Sequence, residues 1–343
     1  MRNIFIILSL FISSTFVFGN NTAPQSIFDK MNYTEVLEVT LEADYTEVLA
    51  DRKSNEKFSG KLKFNDVAGN LQLWNVELAL RGRFRRMKCA EMPPLKINFS
   101  KDDLSSKGLS ASNDLKLVTQ CVQDERQAKE LVVREYLTYK MYNLFSEASY
   151  RVQLLKINYK DNHTGMDMEH WGFLIEDTAQ MRARLGAKKM KKSEDFEISD
   201  LNQEQTRTAT VFQYMIGNYD YDVPARRNLK LIKIGGEIIP VPYDFDFAGL
   251  VNAPYATANT ALGVFSRYDR VYLGVESDSE KLKETFNTFK AKQRKLISVI
   301  KSCDEINSLA KKDMIKYIES FFQKGPNFVM RNDALATSSF QAK

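Results

Sequence analysis

Histidine is almost missing: His163 and His170 are the only two in 343 residues. That excludes three-histidine metal centres and disfavours Ser–His or Cys–His triads, so any chemistry here rests on carboxylates and amides. Glycine (15) and proline (8) are too sparse for a collagenous or low-complexity chain, and 43% apolar with 27% charged residues is a globular balance. No charge of one sign dominates. Subtracting 44 acids from 49 bases leaves +5, evenly spread, which gives no electrostatic footprint for a nucleic-acid partner.

Long apolar runs are missing too, except at the start. Residues 4–18, interrupted by Ser9, Ser13, Ser14 and Thr15, follow the positive Arg2 and end at the small residue Gly19. This is the pattern of a secretory signal over 1–19, too short for a spanning helix. The expectation is a mature chain from Asn20 that is periplasmic or secreted, with no membrane span after cleavage. Only three cysteines are present. In an oxidising compartment they allow one bridge and one spare thiol. Cys89 and Cys121 flank strand-like runs and are the expected pair, whereas Cys303 continues an apolar helical stripe and reads as a core residue.

What is present divides the chain in two, as a prior of roughly 150 residues per domain suggests. Over 20–177 the pattern is β-rich. Leu37, Val39, Leu41 and Ala43 alternate with polar residues, as do Phe58, Gly60, Leu62 and Phe64, and then Trp74, Val76, Leu78 and Leu80. Shorter strands are expected at 95–99, 115–121, 152–159 and 171–176, with a turn at 66–70 and a Ser/Asp/Gly-rich linker after residue 99. Asp124 caps one long helix with Val133, Leu137, Met141 and Phe145 on one face. Over 178–343 helices dominate: about 204–216, 280–302 and 306–324, the last stopped by Gly325-Pro326, with a solvated basic turn at 188–192.

Residues 217–247 carry the chemistry. Two strands flank Gly235-Gly236, and with these as the two loop residues paired positions sum to 471, which sets Asn228 across from Tyr243 and beside Asp244. An amide oxygen and a carboxylate then share one hairpin mouth with Asp246 and Asp220 near by, a hard-oxygen set suited to Mg²⁺ (or Mn²⁺) and so to phosphate chemistry. A loop Asp, an Asn opening a hairpin and an Asp closing it is also the order in protein kinases. His-Arg-Asp, Asp-Phe-Gly and GxGxxG are all missing.

Asn218-Tyr219-Asp220, Asn228-Leu229-Lys230-Leu231 and Pro242-Tyr243-Asp244-Phe245-Asp246 resemble the CotH kinase-like family, spore-coat H-type secreted atypical kinases. In the first half Leu80-Arg81-Gly82-Arg83-Phe84-Arg85-Arg86 resembles that family's glycine-containing nucleotide loop, and Pro93-Pro94-Leu95-Lys96-Ile97 its lysine-bearing strand. Glu135 is placed to resemble the glutamate that orients the lysine, with Glu130 as competitor. The resemblance spans roughly 78–250. It implies an α+β, two-lobed atypical kinase fold with a metal-binding β-hairpin in a mainly helical second lobe. It further implies transfer of the ATP γ-phosphate to a protein or other hydroxyl acceptor. Asp220 takes the catalytic role, Arg81, Gly82, Arg83, Lys96 and Glu135 the nucleotide, and Asn228, Asp244 and Asp246 the metal. The interval of eight from Asp220 to Asn228 exceeds the five of ordinary kinases, and Asp222 adds a second carboxylate, so either acid is a base candidate. A member that binds nucleotide or polyphosphate without turnover is the alternative. Asp244-x-Asp246 also occurs in sugar-nucleotide sites, but a strand-rich first half does not suit that reading.

Overall fold

A computed structural model describes residues 24–328 apart from 90, 192 and 277. The signal-like segment 1–19 lies outside the described residues. The architecture is mixed α/β, with a β-rich sheet system first and mostly helices after it.

Alternation builds the first half. Strands β1 (Val36–Ala43), β2 (Lys57–Asn65), β3 (Leu71–Leu80), β4 (Leu95–Phe99), β5 (Asp114–Thr119), β6 (Val152–Asp161) and β7 (Asp167–Ile175) form a closed barrel in the order β1-β2-β3-β4-β5-β7-β6. Neighbours pair antiparallel except β1 with β6, whose parallel pairing closes the ring. The inward residues, Leu41, Leu62, Ile97, Leu115, Ile157 and Leu174 among them, are all but fully buried. Helix α1 (Ile27–Met31), capped by Ser26, adds Ile27, Phe28 and Met31 to this core. Helix α2 (Tyr45–Ala50) follows β1.

Three connections differ from the sequence reading. Residues 84–88 form a short helix α3 (Phe84–Lys88) where a loop was expected, and Cys89 sits at its C-cap and not at a strand edge. The Ser/Asp/Gly linker contains α4 (Lys101–Ser106), because Ser100 accepts a hydrogen bond from the Asp103 N–H and Asp102 and Asp103 favour the first turn. The basic turn contains a two-residue strand β8 (Lys188–Lys189) paired with β9 (Leu229–Ile234).

Helix α5 (Glu125–Tyr142), capped by Asp124, packs on the outer faces of β6 and β7. Its apolar side chains share a second core with those from α7 (Gln203–Ile216), β9, β10 (Glu237–Pro242), α8 (Ser279–Ala291), α9 (Gln293–Lys301) and α10 (Ser308–Lys324). Helix α6 (Thr178–Arg184) leads out of β7. The single helix expected over 280–302 is α8 and α9, broken at Lys292, whose ammonium donates to the Leu144 carbonyl at 2.5 Å. Cys303 carries a free thiol. Among the described residues no helix is long and apolar enough to cross a membrane.

Candidate active site

The site is built on the loop and hairpin that come after α7. Gly217 ends that helix in the left-handed region (φ 66°), and a Cβ there would lie 2.0 Å from the Tyr317 hydroxyl, so only glycine fits. The chain then turns into Asn218, buried, whose Nδ2 donates to Gln213 Oε1 at 3.0 Å while its Oδ1 accepts the Asp220 N–H at 3.0 Å. Asp220 is thereby fixed at the start of the loop. Asn228 Nδ2 donates to the Asp220 carbonyl at 2.6 Å and to its carboxylate at 3.0 Å, and Arg227 Nε stands 3.6 Å away.

Strands β9 and β10 pair in the register read from the Gly-Gly turn, Glu237 opposite Ile234 and Pro242 opposite Leu229. The Tyr243 N–H continues the ladder to the Asn228 carbonyl. Asn228 (φ 52°) and Asp244 (φ 66°) both hold left-handed backbone, an uncommon state for residues with a Cβ and one that turns both side chains at the hairpin mouth. The Asp244 N–H donates to the Tyr139 hydroxyl of α5 at 2.8 Å, which ties the mouth to that helix.

Opposite lies Arg85 of α3. Its guanidinium donates to Glu135 Oε2 at 2.9 Å and to the Thr119 carbonyl at 3.1 Å, and stands 3.8 Å from Asp246 Oδ2. Tyr255 bears on the Asp246 carboxylate, and the Phe84 ring meets Phe247 and Tyr255 with centroids 5.7 and 5.6 Å apart. The Cys89–Cys121 disulfide, as expected from the sequence, ties the end of α3 to the segment before α5.

The electrostatics follow from crowding acids in little water. Burial pushes the Asp246 carboxyl well above its ordinary range, and the Asp244 charge adds to this while Arg85 opposes it. Burial raises Glu135 as well, against the pull of Arg85. Asp220 is raised by burial and by Asp244, with Arg227 and Asn228 pulling back. Asp220, Asp244, Asp246 and Glu135 outnumber the arginines that pair with them, Arg85 and Arg227, and that excess of acid favours a bound cation or a proton. Among the described residues no three or more His, Cys, Asp or Glu side chains form a metal-holding group, so a hard ion here would need the Asn228 Oδ1 beside Asp244 and Asp246.

The expected residues do not all converge. Lys96 does not reach Glu135: its Nζ pairs with Asp114 at 2.7 Å. Arg85 takes the place at Glu135 that the sequence reading gave to Lys96. Glu130, the competitor, bonds Arg134 on its own helix. Asp222 accepts the Ala225 N–H at 2.7 Å, a turn-capping use of its carboxylate. Arg81 bears on Glu135 and Tyr243, whereas Gly82 and Arg83 are exposed. The sequence reading missed Arg85, Tyr255, Lys116 and Lys230. Lys116 sits on the strand just before α5 and directly opposite Lys96. The outward phase of Leu115-Lys116-Leu117 was the available signal.

No protein-family model matches the sequence, and no curated protein matches it. Among solved structures the chain is similar to the crystal structure of a Helicobacter pylori proinflammatory kinase, CtkA, at 9% sequence identity and a TM-score of 0.37, over 70% of this chain and 90% of that chain.

Proposed function

We propose that this chain is a metal-assisted phosphotransferase of atypical kinase type, acting outside the cytoplasm on a protein or other hydroxyl acceptor, with ATP as the donor its resemblance implies. One observation carries the reading: the β9–β10 hairpin brings Asn228 and Asp244 to the mouth where Asp220 lies, with Asp246 against Arg85 and Glu135 behind. A bound Mg²⁺ or Mn²⁺ supplies charge neutralisation to the donor phosphates. Asp220 orients the acceptor hydroxyl and takes its proton. Its raised affinity for a proton brings it nearer the working pH, which suits a general base. Asn228 holds that carboxylate by donating to it, and Asn218 holds the Asp220 backbone by accepting its N–H. Arg85 fixes Glu135 and Asp246 and adds positive charge beside them. A second reading, binding without turnover, draws on the same contact: Arg85 already partly neutralises Asp246 and Glu135.

Asp220→Asn keeps size and polarity and removes the charge. Transfer of labelled terminal phosphate to casein should fall by roughly 10² or more, with donor affinity nearly unchanged. Transfer at the wild-type rate would remove Asp220 from the base role, and tight donor binding with no transfer by the wild type would favour the second reading.

A further inference from the structure

Beyond the carboxylates, β5, β9 and the segment after β3 carry an unbalanced group of cations. Lys116 of β5 and Lys230 of β9 stand over adjoining rings: Lys116 Nζ is 5.2 Å from the Tyr150 centroid and Lys230 Nζ 5.1 Å from that of Tyr243. The rings themselves pack edge-on at 6.1 Å. The Arg81 charge bears on both Lys116 and Tyr243, so the group is continuous with Asp244 next in sequence. None of the three cations forms an ion pair among the described residues. The acids that bear on Lys116 are engaged elsewhere: Asp114 pairs with Lys96, and Asp177 caps α6 by accepting the Ala179 N–H at 2.7 Å. The Lys116 ammonium has only the Thr178 hydroxyl as a hydrogen-bond partner, at 3.2 Å.

Half-buried like charges repel, and the fold keeps them together with no salt-bridge partner among the described residues, Arg81 acting on Glu135 only at longer range. A purine laid against this wall would leave two ammonium groups desolvated and unpaired. A run of phosphates would pair each of them with charge-assisted hydrogen bonds. We infer that this site takes inorganic polyphosphate as donor, its terminal phosphate at the carboxylate end and the following phosphates along Arg81, Lys116 and Lys230. This rests on the phosphotransfer reading of the same site and departs from it in the donor, with polyphosphate in place of ATP. The step breaks the terminal P–O–P bond and forms a P–O bond to the acceptor oxygen. The hydroxyl proton passes to Asp220, and the shortened polyphosphate leaves with the bonding electron pair.

Calorimetry on the full chain tests it, with sodium tripolyphosphate and ATP titrated in Mg²⁺ buffer at matched ionic strength. Tripolyphosphate should bind about tenfold or more tighter than ATP. Lys116→Met and Lys230→Met should each weaken it by about tenfold, and Lys116→Arg, which keeps the charge, should stay within about twofold. ATP binding as tightly as tripolyphosphate, or tripolyphosphate binding untouched by both Met variants, overturns the inference. The transfer assay separates this from the broader reading. Efficient transfer from ATP with weak tripolyphosphate binding sinks the polyphosphate donor alone, whereas tight, lysine-dependent tripolyphosphate binding without transfer from any donor keeps the anion site and sinks the phosphotransferase.

Discussion

Single side chains set the character of this site, and Lys116 shows it best. Burial is the main cause that brings its ammonium down to about 8 from an ordinary 10.5; Arg81 and Lys230 push the same way, against Asp177 and Asp114. Because the folded value is the lower one, Lys116 favours the fold above about pH 10.5, and that contribution is lost as the pH falls through about 8. At pH 7 the folded protein holds a charge it would rather release. Lys116→Met should therefore stabilise the ligand-free protein by roughly 1 kcal/mol at pH 7, a figure already reduced for partial exposure. The gain should shrink to nothing by pH 10.5. Urea midpoints of both proteins across pH 6–10.5 check this, and a pH-independent difference would contradict it. Lys96 was the lysine the sequence singled out, because a Pro-Pro-Leu-Lys-Ile run reads as a lysine-bearing strand. Pairing register, which no local pattern reveals, assigned it to Asp114 and placed Lys116 across from it.

Whole elements were easier to read where local chemistry decides them. The β9–β10 register followed from Gly235 and Gly236, whose left-handed φ of 60° and 95° makes a tight two-residue turn, and α5 was announced by its Asp124 cap. Helix α3 was hidden, since its five residues have no side-chain cap and no apolar period. Tertiary contacts make it helical: Phe84 on Phe247 and Tyr255, Arg85 on Glu135, and the bridge from Cys89. So short a helix has little stability of its own. Replacing both cysteines, as Cys89→Ser with Cys121→Ser, should cost roughly 3–4 kcal/mol for the loop that the bridge closes. It should also loosen Arg85 from the acids. Guanidinium denaturation gives the first effect, and limited proteolysis after Arg85 or Arg86 the second. A double variant as stable and as protease-resistant as the parent would show that α3 holds itself.

At the scale of the molecule, α5 belongs to both halves. It lies on the barrel through β6 and β7, yet its apolar residues share one core with α7, α8 and α10. Arg134, nearly fully buried, adds bonds across that seam to the Leu250 carbonyl at 3.1 Å and to Asp313 at 2.8 Å. The change from strand to helix pattern near residue 177 says what forms and not what packs on what, and α5, which precedes it, shares its interior with the helices that follow. Urea unfolding should accordingly run as one transition, with barrel and helical signals lost together. Two well-separated midpoints, by far-ultraviolet circular dichroism and tryptophan fluorescence from Trp74 and Trp171, would show the halves to be independent. The parallel seam of the barrel has its own consequence, in time. Val36 pairs with Leu154 and Ala43 with Asp161, so the first strand made cannot find its last neighbour until nearly 120 residues more have been synthesised. At about 5–20 residues per second that is a wait of roughly 6–24 s. Even once β2 covers one edge of β1, the other stays open until β6 arrives, the state most exposed to aggregation and the one a chaperone would need to meet.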